Sequence, residues 1–213
     1  MVQFDQAYIP TLVLTYDHNR RAMAAMETLF DAWSVYKQKH AYTSSTDLAL
    51  NFDLNRIEWH VLEARRMLLE QQQQAAYETL LPIREIFMAI RERQQHDYYI
   101  DALNRYHEFL SDLVQGDLKD GLAIKEQYSR LVNMWLDSIQ KEINPYKYGL
   151  NMERYQQFIE RRDEHLKKLI ALDETLRNGD REALMNQLSE LETGIFEILA
   201  RFGRFPSQTA SAA

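Results

Sequence analysis

The sequence predicts an all-α protein, an antiparallel helical bundle of about seven helices. Three observations carry that reading. Apolar residues recur at spacings of three and four along most of the chain, as in helices that each bury one stripe. Glycine and proline are scarce, six and four in 213 residues, too few for the tight turns of an all-β fold. Finally, two stretches 108 residues apart match at one helical register. Leu68 pairs with Leu176, Ala75 with Ala183, Leu80 with Leu188, Ile83 with Leu191, Phe87 with Ile195, Ile90 with Ile198 and Arg93 with Arg201. The match predicts a helix-turn-helix unit used twice.

The first helix is expected from about Pro10 or Asn19 to Lys39, with Ala22, Met26, Leu29, Trp33 and Tyr36 inward. Pro10 suits a first turn and not an interior. Ala41 to Asn51 is rich in Ser and Thr and reads as a connection. The second helix is expected to start near Asp53 as N-cap, with the stripe Ile57, Val61, Ala64 and Leu68. The run Gln71 to Gln74 would alone continue a helix. The repeat aligns this region with Asn178-Gly179-Asp180-Arg181, where Gly179 has the character of a C′ residue and Asp180 of an N-cap. A turn is therefore expected there.

The third helix carries Ala76, Leu80, Ile83, Phe87 and Ile90, with Pro82 expected to kink it or loosen one turn. The fourth carries Tyr99, Leu103, Tyr106, Leu110 and Leu113 and stops at Gly116-Asp117. The fifth carries Ile124, Tyr128, Leu131, Trp135 and Ile139 and ends before Asn144-Pro145. The sixth starts near Asn151 and carries Tyr155, Phe158, Ile159, Leu166, Leu169, Leu172 and Leu176. The seventh carries Leu184, Leu188, Leu191, Ile195, Ile198 and Phe202 and is closed by Gly203. The whole reads as one domain over residues 1–213, with possible sub-bundles at 10–115 and 118–203 and a disordered tail at 204–213.

Composition removes several functions. The net charge is −7, which disfavours general nucleic-acid binding, because phosphate affinity rests on clustered Lys and Arg. There is no cysteine, so disulfides, thiolate nucleophiles and Cys-held metal clusters are excluded. Compartment stays open between cytosol and periplasm. The start, Met1-Val2-Gln3-Phe4-Asp5, has no basic n-region, and Tyr8 to Leu14 is too short to span a bilayer. The chain is expected to be soluble.

Motifs are mostly missing. The glycine positions leave no GxGxxG, P-loop or GxSxG. No HExxH exists, and none of the residues three before the six histidines is a carboxylate, against a di-iron bundle. The nearest metal-like group is Glu58, His60 and Glu63, where His60 and Glu63 share a helix face. A solvated boundary face is the plainer reading of the same pattern. His165 aligns with the stripe residue Ile57 in the repeat and lies seven residues after Phe158. It therefore points inward, as a core histidine with one hydrogen-bond partner or as a metal or axial ligand.

Met26-Glu27-Thr28-Leu29 and Asn104-Arg105-Tyr106-His107 resemble the ends of soluble b-type cytochromes of the four-helix-bundle class. The resemblance implies a haem bundle over residues 20–115, with Met26 and His107 as the axial pair. Thioether and imidazole suit low-spin iron. The numerous tyrosines and Trp33, Trp59 and Trp135 read as bundle filling, with hydroxyls reaching the edge. Two functions follow from the residues. One is a non-enzymatic interaction or accessory module, with a protein partner or small ligand. The other is a haem- or metal-binding bundle for electron transfer or sensing.

Overall fold

The computed structural model describes residues 1–116 and 121–206, with the side chains of residue 44 and of 121–124 left aside. It is all-α, with eight α-helices and no strand among the described residues. The chain divides into two compact units, Met1–Asp97 with Phe202–Ala213, and Tyr98–Arg201.

The first unit is built from α1 (Val2–Tyr16), α2 (Ala22–Thr46), α3 (Leu48–Leu69) and α4 (Gln73–Arg93). Each helix packs on the next, and α4 closes back onto α1. The connections between them are short, so neighbours run antiparallel.

The first helix begins neither at Pro10 nor at Asn19. A separate helix precedes Ala22, and Pro10 lies inside it. From Phe4 to Leu12 every residue of α1 is buried. A helix covered on all sides shows no 3.6-residue stripe to read, and its burial overrides weak propensity. Pro10 removes an N–H, which frees the carbonyl of Gln6. The N–H of Arg204 donates to that carbonyl at 2.7 Å. Such a close return requires a residue without a side chain beside the proline: a Cβ on Gly203 would sit 2.6 Å from Pro10 Cδ. Residues 207–213 of the expected tail lie outside the described residues.

The Ser/Thr-rich stretch from Ala41 to Asn51 is helical except at Asp47 and is not a connection. Helix α2 runs on to Thr46, because its hydroxyls bond back to their own helix, Ser45 to the Tyr42 carbonyl and Thr46 to that of Thr43. The N-cap of α3 is Asp47, which accepts from the Leu50 N–H at 3.0 Å, and not Asp53. Asp53 is buried inside α3, where its carboxylate pairs with Arg93 of α4. The turn near Gln71 is present: α3 ends at Leu69 and α4 begins at Gln73. Helix α4 passes through Pro82 without interruption.

The second unit contains α5 (Tyr99–Gln115), α6 (Gly121–Met134), a π turn (Trp135–Ile139), a 3₁₀ turn (Pro145–Tyr148), α7 (Met152–Asn178) and α8 (Arg181–Ala200). Here too each helix packs on its successor and α8 closes onto α5. The expected stop at Asp117 and the expected core side chain of Ile124 lie outside the described residues. Asn151 caps α7 and Asp180 caps α8, each accepting a backbone N–H three residues on.

The repeat has a structural counterpart. Helices α3 and α4 correspond to α7 and α8, the second hairpin of each unit. Leu80, Ile83, Phe87 and Ile90 are buried, as are Leu188, Leu191, Ile195 and Ile198. The turns agree as well: Gln71 and Gly179, equivalent in the repeat, both take left-handed backbone, with φ of 60° and 72°. Glycine adopts this freely and glutamine does so at a cost.

Candidate functional site

The residue singled out by the repeat, His165, sits on α7 between α5, the π turn and α8 of the second unit. Phe158, Arg162, His165, Leu169 and Leu172 form the buried stripe of α7, so the spacing of its apolar neighbours carries the imidazole inward. Tyr106 of α5 reaches its Nε2 through the hydroxyl at 3.1 Å. Trp135, at the start of the π turn, stacks on the ring at 4.3 Å with planes 10° apart. Gly194 of α8 supplies the last wall, for a Cβ there would lie 3.1 Å from His165 Nδ1. That Nδ1 is buried and takes no hydrogen bond among the described residues. In the repeat His165 replaces Ile57 and Gly194 replaces Ile86, so a smaller residue on α8 accompanies the polar one on α7.

Burial, with Lys168 nearby, lowers the His165 pKa to about 3. Desolvation disfavours the charged form, so the ring is neutral at pH 7. A base this weak does not hold a proton near neutrality. Its geometry suits a fixed core hydrogen bond. Outside it, a groove of about 550 Å³ runs between α7 and α8. Its rim charges are mostly spent on one another: Arg161 bonds Glu164 at 2.8 Å and approaches Glu197, and Lys168 meets Glu190 at 3.3 Å.

The remaining residues expected from sequence are distributed over the two units. Met26 is fully buried in the first unit, whereas His107 is buried in the second, edge-on to Phe196 at 4.6 Å. His60 and Glu63 both stand on α3 in the first unit, and His165 belongs to the second. The pKa of His60 is lowered chiefly by burial and raised by a backbone hydrogen bond at Thr79. The carboxylate of Glu63 is held by Arg66 at 2.6 Å. Among the described residues no group of three His, Asp or Glu side chains is arranged to hold a metal ion. Among those residues, too, no helix is long and apolar enough to cross a membrane.

A second feature lies on α3 and is not among the residues named from sequence. Its core stripe is Leu50, Leu54, Ile57, Val61, Ala64 and Leu68. Two residues away, about 200° around the helix, runs another stripe: Leu48, Phe52, Asn55, Trp59, Leu62, Arg66 and Leu69. All seven are exposed. The apolar members are 81% (Leu48), 64% (Phe52), 59% (Trp59), 48% (Leu62) and 60% (Leu69) accessible. The intervals alternate four and three, which is the heptad seam of a coiled coil. The alternation is present in the sequence. It is broken if Leu48 and Phe52 are placed in a loop ahead of a helix beginning at Asp53, and the core stripe then claims the rest.

No family model, no curated protein and no solved structure matches this chain.

Proposed function

We propose that this chain is a non-enzymatic interaction module that docks a helix along the outer face of α3. One observation carries the proposal: five large apolar side chains stand in water at heptad spacing on a single helix. Folded proteins expose isolated apolar residues freely, but aligned ones mark contact surfaces. Removing each such side chain from water contributes roughly 1.5–3 kcal/mol, and a helix laid in register collects that gain repeatedly. The neutral, core-bound state of His165 and the carboxylates already tied to arginine support a role through surfaces over one through acid–base chemistry.

The test is site-specific photo-crosslinking in the producing cells. A photoreactive residue at Phe52, Trp59, Leu62 or Leu69 should give discrete protein adducts. The same group at Glu78 or Glu85, exposed on α4, should give none. Equal labelling at both sets, or none at the seam, would refute the docking face.

A further inference from the structure

We infer that the helix docked on α3 is α3 of a second copy of this chain, laid antiparallel with Trp59 opposite Leu62. The inference rests on the docking reading above and adds the partner and its register. In heptad terms Phe52, Trp59 and Arg66 hold the a positions, and Leu48, Asn55, Leu62 and Leu69 the d positions. The flanks are then charged: Glu58 and Arg65 at g, Arg56, Glu63 and Glu70 at e. Flanking charges select orientation and register in such pairs.

An antiparallel pair sets a against d, g against g and e against e. With Trp59 facing Leu62 of the second copy, Phe52 faces Leu69 and Asn55 faces Arg66. On the flanks Glu58 meets Arg65, and Arg56 meets Glu63. Every contact occurs twice by symmetry, and each flank pair is of opposite sign. The two polar residues of the seam meet each other and not an apolar side chain.

The other arrangements fail on charge. Shifting the antiparallel register by one heptad, so that Phe52 faces Leu62, sets Glu58 on Glu58 and Arg56 on Arg56. A parallel pair stacks Arg66 on Arg66 and sets Glu58 beside Glu63, leaving Arg65 beside Glu70 as its one flank pair of opposite sign. Facing like charges are a strong selector against a wrong pairing.

The flanking groups have partners inside the chain already. Glu58 pairs with Lys37, Arg65 with Glu27 at 2.9 Å, and Arg66 forks onto Glu63 and Glu70 at 2.6 Å each. Arg66 thus enters the seam with its charge neutralised. The second copy adds further opposite charge at the same edges. The overlap from Phe52 to Leu69 is about 27 Å of helix, a small interface, so dissociation is expected on the order of 10 μM.

The full chain tests this directly. Light scattering or sedimentation should report a dimer forming up to about 200 μM. The double variant Trp59→Glu/Leu62→Glu should be monomeric with unchanged circular dichroism and melting, since both side chains are exposed in the single chain. Because the chain has no cysteine, Phe52→Cys and Leu69→Cys can be cross-linked by a short bis-maleimide without background. The two variants should join when mixed, and Phe52→Cys alone should not, its equivalent lying about 25 Å away. Arg56→Glu should weaken the dimer by about tenfold, and Arg56→Glu/Glu63→Arg should restore it.

A chain that stays monomeric throughout overturns self-pairing, and efficient self-linking of Phe52→Cys overturns the register. The photo-crosslinks separate the two readings. A monomer whose heptad-position adducts are not of twice the chain mass leaves docking standing and removes only the second copy. A monomer without adducts removes both.

Discussion

Acid should destabilise the second unit through one histidine in particular. The His165 ring is 3% exposed, stacked on Trp135 and bonded to Tyr106. Burial holds its pKa at about 3, whereas an unfolded chain titrates histidine near 6.5. Between those values the unfolded state binds one more proton than the folded state, so stability falls as pH falls. The contribution is fully present above pH 6.5 and is lost progressively toward pH 3. From pH 7.5 to pH 5 the loss is about 2 kcal/mol, a substantial part of an ordinary domain's stability. Urea unfolding at both pH values, followed by circular dichroism and fluorescence, measures it. His40 and His60 also have lowered pKa values, mainly through burial, and they add to the total slope. The difference between the native chain and His165→Gln isolates the one group. Gln is uncharged and can accept from the Tyr106 hydroxyl, so the variant should lose about 2 kcal/mol less on acidification. An identical pH dependence in the two proteins would refute the reasoning.

Two further outcomes follow from backbone geometry. Gly203→Ala places a methyl 2.6 Å from Pro10 Cδ and 3.2 Å from Ile9 Cγ2. The proline ring cannot rotate aside, so a loss of about 1–3 kcal/mol is expected, read as a lowered melting temperature, and an unchanged melt would show that the return onto α1 is not formed. Gln71→Gly relieves left-handed backbone at φ of 60° and should raise stability by about 0.5–1 kcal/mol in urea unfolding; a loss of stability would mean that the Gln71 side chain contributes more than its strain costs.

Much of the fold was legible in the residues. The stripes of α4, α5, α7 and α8 announce themselves because each helix buries one face and wets the other. The turn at Gln71, by contrast, could be read only through its repeat partner. Gly179 and Asp180 carry ordinary helix-end chemistry, and four glutamines carry none. Helix α1 was hidden because it is buried on every side, and Asp53 was misassigned because an acid ahead of an apolar run has the look of a cap. Nothing local distinguishes a capping Asp from one buried against Arg93, since the pairing spans 40 residues.

The candidate site divides in the same manner. That His165 points inward followed from its spacing to Phe158 and from its match to Ile57 in the repeat. That it meets Tyr106, Trp135 and Gly194 did not, because those residues stand on α5, the π turn and α8, 29 to 59 positions away. The second stripe of α3 is the reverse case. Its spacing is written in the chain, yet spacing alone cannot say which of two opposed stripes is covered. Periodicity is a property of one helix, so the sequence by itself determined the helices that bury one face, their repeat and their greasy stripes. Coverage depends on what packs against a helix, so only the tertiary structure decided that Leu50 to Leu68 are core and that Leu48 to Leu69, on the other side, stand in water.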